Sequence, residues 1–178
     1  PQTDWQALYK LARMQTASGT AYDAMLTLPA DPQPPRPLLL QWSNALMMCE
    51  DNNHLLNTRI ETLFGHYEAV GIKPILLKGQ GVAQCYPHPE HRQPGDIDIY
   101  VGKEDYERAN QLLIVLGGEV EQESIKRSHG HWEGVTVENH QLLTAFASPR
   151  ANRFLRREIL PLLPGQRTVA IEGNDTPV

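Results

Sequence analysis

Two carboxylates one residue apart, Asp96 and Asp98, interrupt an otherwise apolar stretch, GDIDIYV, at residues 95–101. Side chains alternate across a strand, so Ile97, Ile99 and Val101 share one face and Asp96, Asp98 and Tyr100 the other. The two aspartate Cα atoms then stand about 6.6 Å apart. Their carboxylates can converge on ions about 3.5–4 Å apart, the separation of a two-metal site. Like charges so placed repel in a low dielectric. Divalent cations remove that cost, and oxygen-only ligands suit Mg²⁺ or Mn²⁺. A bare Asp-x-Asp also suits an amphipathic edge strand with both carboxylates in water, so the neighbouring segments must decide.

Three of them bear on it. Gly95 precedes the pair and permits close approach of a ligand or a neighbouring backbone. Upstream, LLKGQG closes another apolar run. There a glycine turn feeding a short helix presents the N–H groups of Gly79 and Gly81 to an anion, and Lys78 adds a positive charge. Taken alone, this turn is equally an ordinary tight turn with an exposed lysine. Downstream, GVTVENHQ alternates, with Val135 and Val137 on one face and Thr136, Glu138 and His140 on the other. Glu138 becomes a third carboxylate if its strand lies beside the aspartates; otherwise it points outward on an edge strand. His140 would then orient Glu138, contact substrate, or serve as a structural histidine. Two rival sites use other residues. His129, His131 and His140 form a candidate zinc set, with no cysteine to join them. Arg150, Arg153, Arg156 and Arg157 form a basic helix, a pattern that usually marks a solvated face rather than a nucleic-acid contact.

The elements that must position these residues follow from periodicity. Residues 4–28 read as one or two short helices, with Trp5, Leu8, Leu11 and Ala12 on one stripe. Residues 29–37 hold five prolines in nine positions and read as a stiff connector. A long helix spans roughly 38–70, its stripe Trp42, Leu46, Cys49, Asn53, Leu56, Ile60, Leu63, Tyr67 and Val70 stepping by fours and threes. This is a core face with one polar interruption at Asn53, or less readily a coiled-coil seam. Gly71 ends it. From residue 72 the period changes. IKPILLKG suits a buried strand, GVAQCY one or two helical turns, GDIDIYV a strand, and KEDYERANQLLIVLGG a helix. EVEQES reads as a weak strand, HGHWEGVTVENHQ as a hairpin turning at Glu133-Gly134, SPRANRFLRREILPLL as a helix and RTVAIEG as a last strand. In the closing NDTPV, Thr176 reads as an N-cap and Pro177 as the first residue of a helix. That ending, and a start at Pro1, suggest a piece of a longer chain.

With 178 residues and a net charge of −5, the chain can bury a sizeable core, and its balance argues against a general nucleic-acid binder. Two well-separated cysteines, Cys49 and Cys85, imply no disulfide framework and a reducing compartment. No apolar run approaches membrane-spanning length. The expectation is a soluble, cytoplasmic protein with no membrane partner.

The block ILLKGQGVAQCYPHPEHRQPGDIDIYV resembles the signature of the uncharacterised nucleotidyltransferase family, a branch of the DNA polymerase β-like superfamily. That signature is a hydrophobic strand, a glycine turn, Asp-hydrophobic-Asp on the next strand and a later third carboxylate. Gly79, Asp96, Asp98 and Glu138 stand at those positions. The likeness extends upstream through LARMQ…YDAMLTLP and downstream through VTVENH. It departs in the inserted YPHPEHRQP and in Gln80, where a small hydroxyl residue is frequent. The resemblance implies an α+β fold, a mixed nucleotidyltransferase-like sheet with flanking helices. An N-terminal helical region (1–71, with the 29–37 connector) would precede a core (72–178) that continues into further helices. It implies two Mg²⁺ or Mn²⁺ ions on Asp96, Asp98 and Glu138. A nucleoside triphosphate would be held by Lys78, Gly79, Gln80, Gly81, Arg92, Gly95 and His140. The acceptor hydroxyl, on a small molecule, sugar, protein or RNA, stays open, as does the oligomeric state. The alternative within the same fold is a catalytically inactive nucleotide-sensing or interaction domain.

Overall fold

The structure, a computed structural model, describes residues 3–29, 33–121, 127–144, 146–165, 168–171 and 174–178. Parts of the proline-rich stretch (30–32), of EVEQES (122–124) and of RTVAIEG (167, 172 and 173) lie outside them.

Three helices come first: α1 (Trp5–Met14), α2 (Ser18–Leu26) and α3 (Arg36–Ala69). Asp4 caps α1 by accepting from the Ala7 N–H at 3.0 Å. The expected α1 stripe is corrected: Tyr9 and Ala12 are buried, whereas Leu8 and Leu11 are exposed. The partner decides this, because the Tyr9 ring packs on Trp42 of α3 with centroids 5.1 Å apart. Helix α3 starts at Arg36, ahead of the expected position, and admits Pro37 because first-turn N–H groups have no intrahelical acceptor. Its stripe is buried from Trp42 to Tyr67, but Val70 is exposed. The helix closes there: Gly71 turns to φ +80 and the Ile72 N–H donates to the Tyr67 carbonyl at 3.0 Å.

Strands β1 (Ile75–Leu77), β2 (Ile97–Tyr100), β3 (Glu119–Glu121), β4 (His129–Trp132) and β5 (Val135–His140) form a five-stranded sheet in the order β1-β2-β5-β4-β3. The β2–β5 pair is parallel and the rest antiparallel. Short α4 (Gly79–Ala83) follows β1, and α5 (Gly102–Val115) follows β2. Glu133 and Gly134 both take positive φ, as a tight two-residue hairpin turn requires.

Ile97, Ile99 and Val137 are buried against the C-terminal half of α3 and against Tyr106, Ala109 and Leu113 of α5. A second apolar cluster, Tyr9, Ala12, Met25, Leu38 and Trp42, joins α1 and α2 to the other half of α3. The heptad-like stripe is therefore an intramolecular core face serving two clusters. The chain is mixed α+β with an N-terminal helical region.

Beyond the sheet, α6 (Pro149–Phe154) runs on as a π turn (Leu155–Ile159) and a 3₁₀ turn (Leu160–Gly165). The reading of Thr176-Pro177 as a helix start is overturned. Asn174–Pro177 is strand β7, antiparallel to β6 (Thr168–Ile171), with Thr176 opposite Val169. A β-branched residue facing a partner strand favours the ladder.

A buried polar chain crosses the main core. Tyr67 Oη donates to Asn139 Oδ1 at 2.9 Å, Asn139 Nδ2 to Asn110 Oδ1 at 2.9 Å, and Ser128 Oγ to the same oxygen at 2.7 Å. Tyr67→Phe leaves Asn139 Oδ1 short of its donor, so stability should fall by about 1–3 kcal/mol in urea titrations at neutral pH. Burial holds the Tyr67 phenol well above its ordinary 10.0. Its contribution is therefore complete below that value and is lost as pH rises beyond it, because the unfolded tyrosine ionises first. The gap between native and variant chains should narrow above about pH 10; a constant gap would contradict this.

Candidate functional site

The site begins where β1 ends. Leu77 lies opposite Asp98 in antiparallel register, and the chain then turns sharply into α4. Lys78 adopts φ +45 and ψ −139, and Gly79 adopts φ +48. Glycine takes such a conformation freely; a lysine there is strained, of order 1–3 kcal/mol. The turn brings the Lys78 side chain over β2. Its Nζ lies 2.7 Å from Asp98 Oδ2 and 3.9 Å from Asp96 Oδ2. Burial works against the ammonium, but the hydrogen bond and charge of Asp98, then the charges of Asp96 and Glu138, outweigh it and raise its pKa.

The parallel register places Asp98 beside Glu138 and Tyr100 beside His140. Both carboxylates are buried, at 1% and 4% exposure. His140 Nε2 lies 3.0 Å from Asp98 Oδ1 and 3.5 Å from Glu138 Oε2. Burial pushes the Asp98 carboxyl up; hydrogen bonds from His140 and Lys78, then their charges, overcome this and hold it below the usual carboxylate range. Asp98 Oδ2 is itself buried, and the Lys78 ammonium is the cation paired with it. Glu138 is paired with Arg127 and lies 3.5 Å from His129 Nδ1.

Ligating atoms of Asp98, Glu138 and His140 all lie within 4.8 Å of one another, the group of this kind found among the described residues. Asp96 precedes β2, is partly exposed, and is linked to Asp98 through the Lys78 ammonium. The carboxylates of Asp98 and Glu138 are oxygen donors that suit a hard divalent ion, and the Lys78 cation drawn to the aspartates marks the charge such an ion would replace; the His140 imidazole is a softer donor. The three-histidine alternative is not assembled: His129 turns to Glu138, His131 Nδ1 lies 3.3 Å from Thr136 Oγ1, and His140 joins the carboxylates.

The remaining expected residues divide. The Gly81 N–H donates to the Lys78 carbonyl at 3.1 Å, and a Cβ there would stand 2.9 Å from Val178 Cγ1. A side chain at 81 would thus have to displace the Val178 side chain, and the Gly81 N–H is already bonded. Gln80 is buried and turned towards α3, its Nε2 donating to Asn53 Oδ1 (3.0 Å) and Asn57 Oδ1 (2.6 Å). Asn53 Nδ2 in turn donates to the carbonyls of Glu90 (2.6 Å) and Arg92 (2.9 Å). The polar interruption in the α3 stripe therefore clamps the inserted loop and the glycine turn to one helix. Arg92 stays in that loop, donating to the Gln93 carbonyl at 3.3 Å. Gly95 is exposed with open space beside it.

Sequence reasoning missed Arg127 and His129 as partners of Glu138 and the clamping role of Asn53. A signal for the first pair exists: in RSHGH, Arg127, His129 and His131 alternate and so share one strand face.

A family model described as uncharacterised nucleotidyltransferase matches residues 1–178, the whole chain. No curated protein and no solved structure matches it.

Proposed function

Because this chain belongs to the uncharacterised nucleotidyltransferase family, we propose that it moves a nucleotidyl group from a nucleoside triphosphate to a hydroxyl acceptor in a divalent-metal-dependent reaction. The observation that carries this is the meeting of Asp98, Glu138 and His140 across two parallel strands, with the Lys78 cation between Asp98 and Asp96. In this reading residues 72–178 form the catalytic core behind a helical region, 1–71.

Asp96, Asp98 and Glu138 would hold two Mg²⁺ or Mn²⁺ ions, with His140 as a further ligand or as the group that orients them. When bound, such ions neutralise charge on the attacking and leaving oxygens of an in-line displacement. Lys78, released from Asp98, carries its charge to the β- and γ-phosphates, where the Gly79 N–H adds a donor. Gln80 acts through its buried amide by holding this turn, and Gly81 by letting it pack under Val178. Gly95 leaves room beside Asp96, and Arg92 is a second cation within the inserted loop. Glu138 accepts the proton of the acceptor hydroxyl. The hydroxyl oxygen bonds to the α-phosphorus, the bond to the bridging oxygen breaks, and pyrophosphate leaves.

Equilibrium binding of ATP, GTP, CTP and UTP, each with and without Mg²⁺, tests this. Binding should require Mg²⁺. Asp98→Ala and Asp96→Ala should each weaken it by tenfold or more, about 1.4 kcal/mol. Unchanged affinity in both variants would remove the metal site. Binding without label transfer to any acceptor would favour the nucleotide-sensing reading.

A further inference from the structure

Along β2 the glycine turn, the carboxylates and a cavity follow one another. Lys78 and Gly79 lie at the Asp96 end, because Leu77 pairs with Asp98. At the other end Tyr100, which shares the carboxylate face, lines a cavity of about 280 Å³. The parallel strands β2 and β5 both run out at this point, since Tyr100 and His140 are register partners. In open α/β sheets the carboxyl ends of parallel strands are where ligands bind.

The cavity walls have a definite chemistry. Leu142 and Leu143 follow β5, and Leu155 and Leu160 come from the helical stretch beyond α6. Asn152 also borders it, but its amide is engaged with the Phe146 backbone, donating at 2.7 Å and accepting at 2.9 Å. Arg156 lines the cavity, is exposed, and has no carboxylate partner among the described residues.

In-line transfer places the attacking and leaving oxygens on opposite sides of the phosphorus. With the β- and γ-phosphates at the Lys78 end, the attacking hydroxyl enters from the Tyr100 end. We infer that this cavity is the acceptor site, and that it takes a small hydroxyl compound with an apolar, ring-sized body and an anionic group. The body lies among the leucines, the anion pairs with Arg156 and the hydroxyl points towards the neighbouring Asp98 and Glu138. The assignment rests on the transfer reading above. A nucleic-acid acceptor would call for a basic groove with exposed aromatic platforms instead of a leucine-walled cavity.

Two probes that share a hydroxyphenyl body test it: 4-hydroxyphenylpropanoate, which is anionic, and tyramine, which is cationic. Their binding is measured by ligand-observed NMR on the full chain, with neither nucleotide nor Mg²⁺. The native chain should bind the carboxylate at least tenfold more tightly than the amine. Arg156→Glu, a surface change that leaves the packing intact, should reverse that order. Leu143→Trp, which fills the cavity, should weaken the carboxylate probe tenfold or more. Mg²⁺–nucleotide affinity should stay unchanged in Arg156→Glu. No measurable binding of either probe at millimolar concentration, or a preference that survives Arg156→Glu, overturns the assignment. So does loss of nucleotide affinity in Arg156→Glu, which would give the cavity to the nucleotide. Because the probe experiment lacks nucleotide and metal, it can fail while the Asp98 result stands, and the reverse.

Discussion

Lys78→Met is expected to lose about 3 kcal/mol of stability in the presence of a chelator and to recover most of it when Mg²⁺ is added. Asp98 is 1% exposed, and the Lys78 ammonium lies 2.7 Å from its Oδ2. Removing one member of a buried ion pair leaves an uncompensated charge, at a cost of about 3–5 kcal/mol. The Lys78 side chain is 57% exposed, so water screens the pair and the lower end applies. Methionine preserves the stem and the φ +45 backbone, so neither packing nor strain confounds the comparison. A divalent ion held by Asp98 would replace the lost charge. Ligand at a hundred times its dissociation constant adds about 2.7 kcal/mol to the folded state. The native chain should gain less, since its ammonium already occupies the position and must be displaced. Urea titrations in EDTA and in Mg²⁺ measure all four values. An equal Mg²⁺ increment in both chains would show that the ammonium does not stand where the ion binds.

Trp42→Ala should cost about 3–5 kcal/mol, concentrated in the N-terminal helices. Trp42 is fully buried, its ring between Tyr9 and Tyr22, with centroids 5.1 and 6.1 Å away. Its Nε1 donates to the Ser18 carbonyl at 2.9 Å and so fixes the start of α2. The cluster it anchors holds few other buried side chains, so no neighbour can close the gap. The sheet core is built on the other half of α3 and does not include Trp42. Hydrogen exchange should therefore lose protection across α1 and α2 while β2 and β5 keep theirs. The inserted loop should loosen too, since His91 binds Asp23 of α2 at 2.7 Å and Glu50 of α3 at 3.0 Å. Uniform loss of protection across both clusters would instead make the chain one cooperative unit.

The match between sequence and fold is best where local geometry suffices. Alternation alone placed Ile97 and Ile99 on the core face and Asp98 on the other, and the α3 stripe was legible residue by residue as far as Tyr67. It failed where a distant partner chose. In α1 the presence of Trp42 selected Tyr9 over Leu8 and Leu11. At Thr176-Pro177 a good helix-start signal yielded to a neighbouring strand. Asn53 read as a flaw in a stripe, because its partners Gln80, Glu90 and Arg92 lie far away in sequence.

The candidate site divides in the same way. The spacing of Asp96 and Asp98, the glycine turn after Lys78 and the alternation around Glu138 are properties of the sequence by itself, because one-residue steps set which side of a strand a group occupies. Tertiary structure decided the rest. It put β2 beside β5 in the register that pairs Asp98 with Glu138, and it recruited His140 into the cluster. It also closed Lys78 over the aspartates and set Arg127 and His129 against Glu138. The physical reason is that strand order and register are chosen by burial summed over the whole sheet. No spacing along the chain records which groups forty residues apart will share a charge.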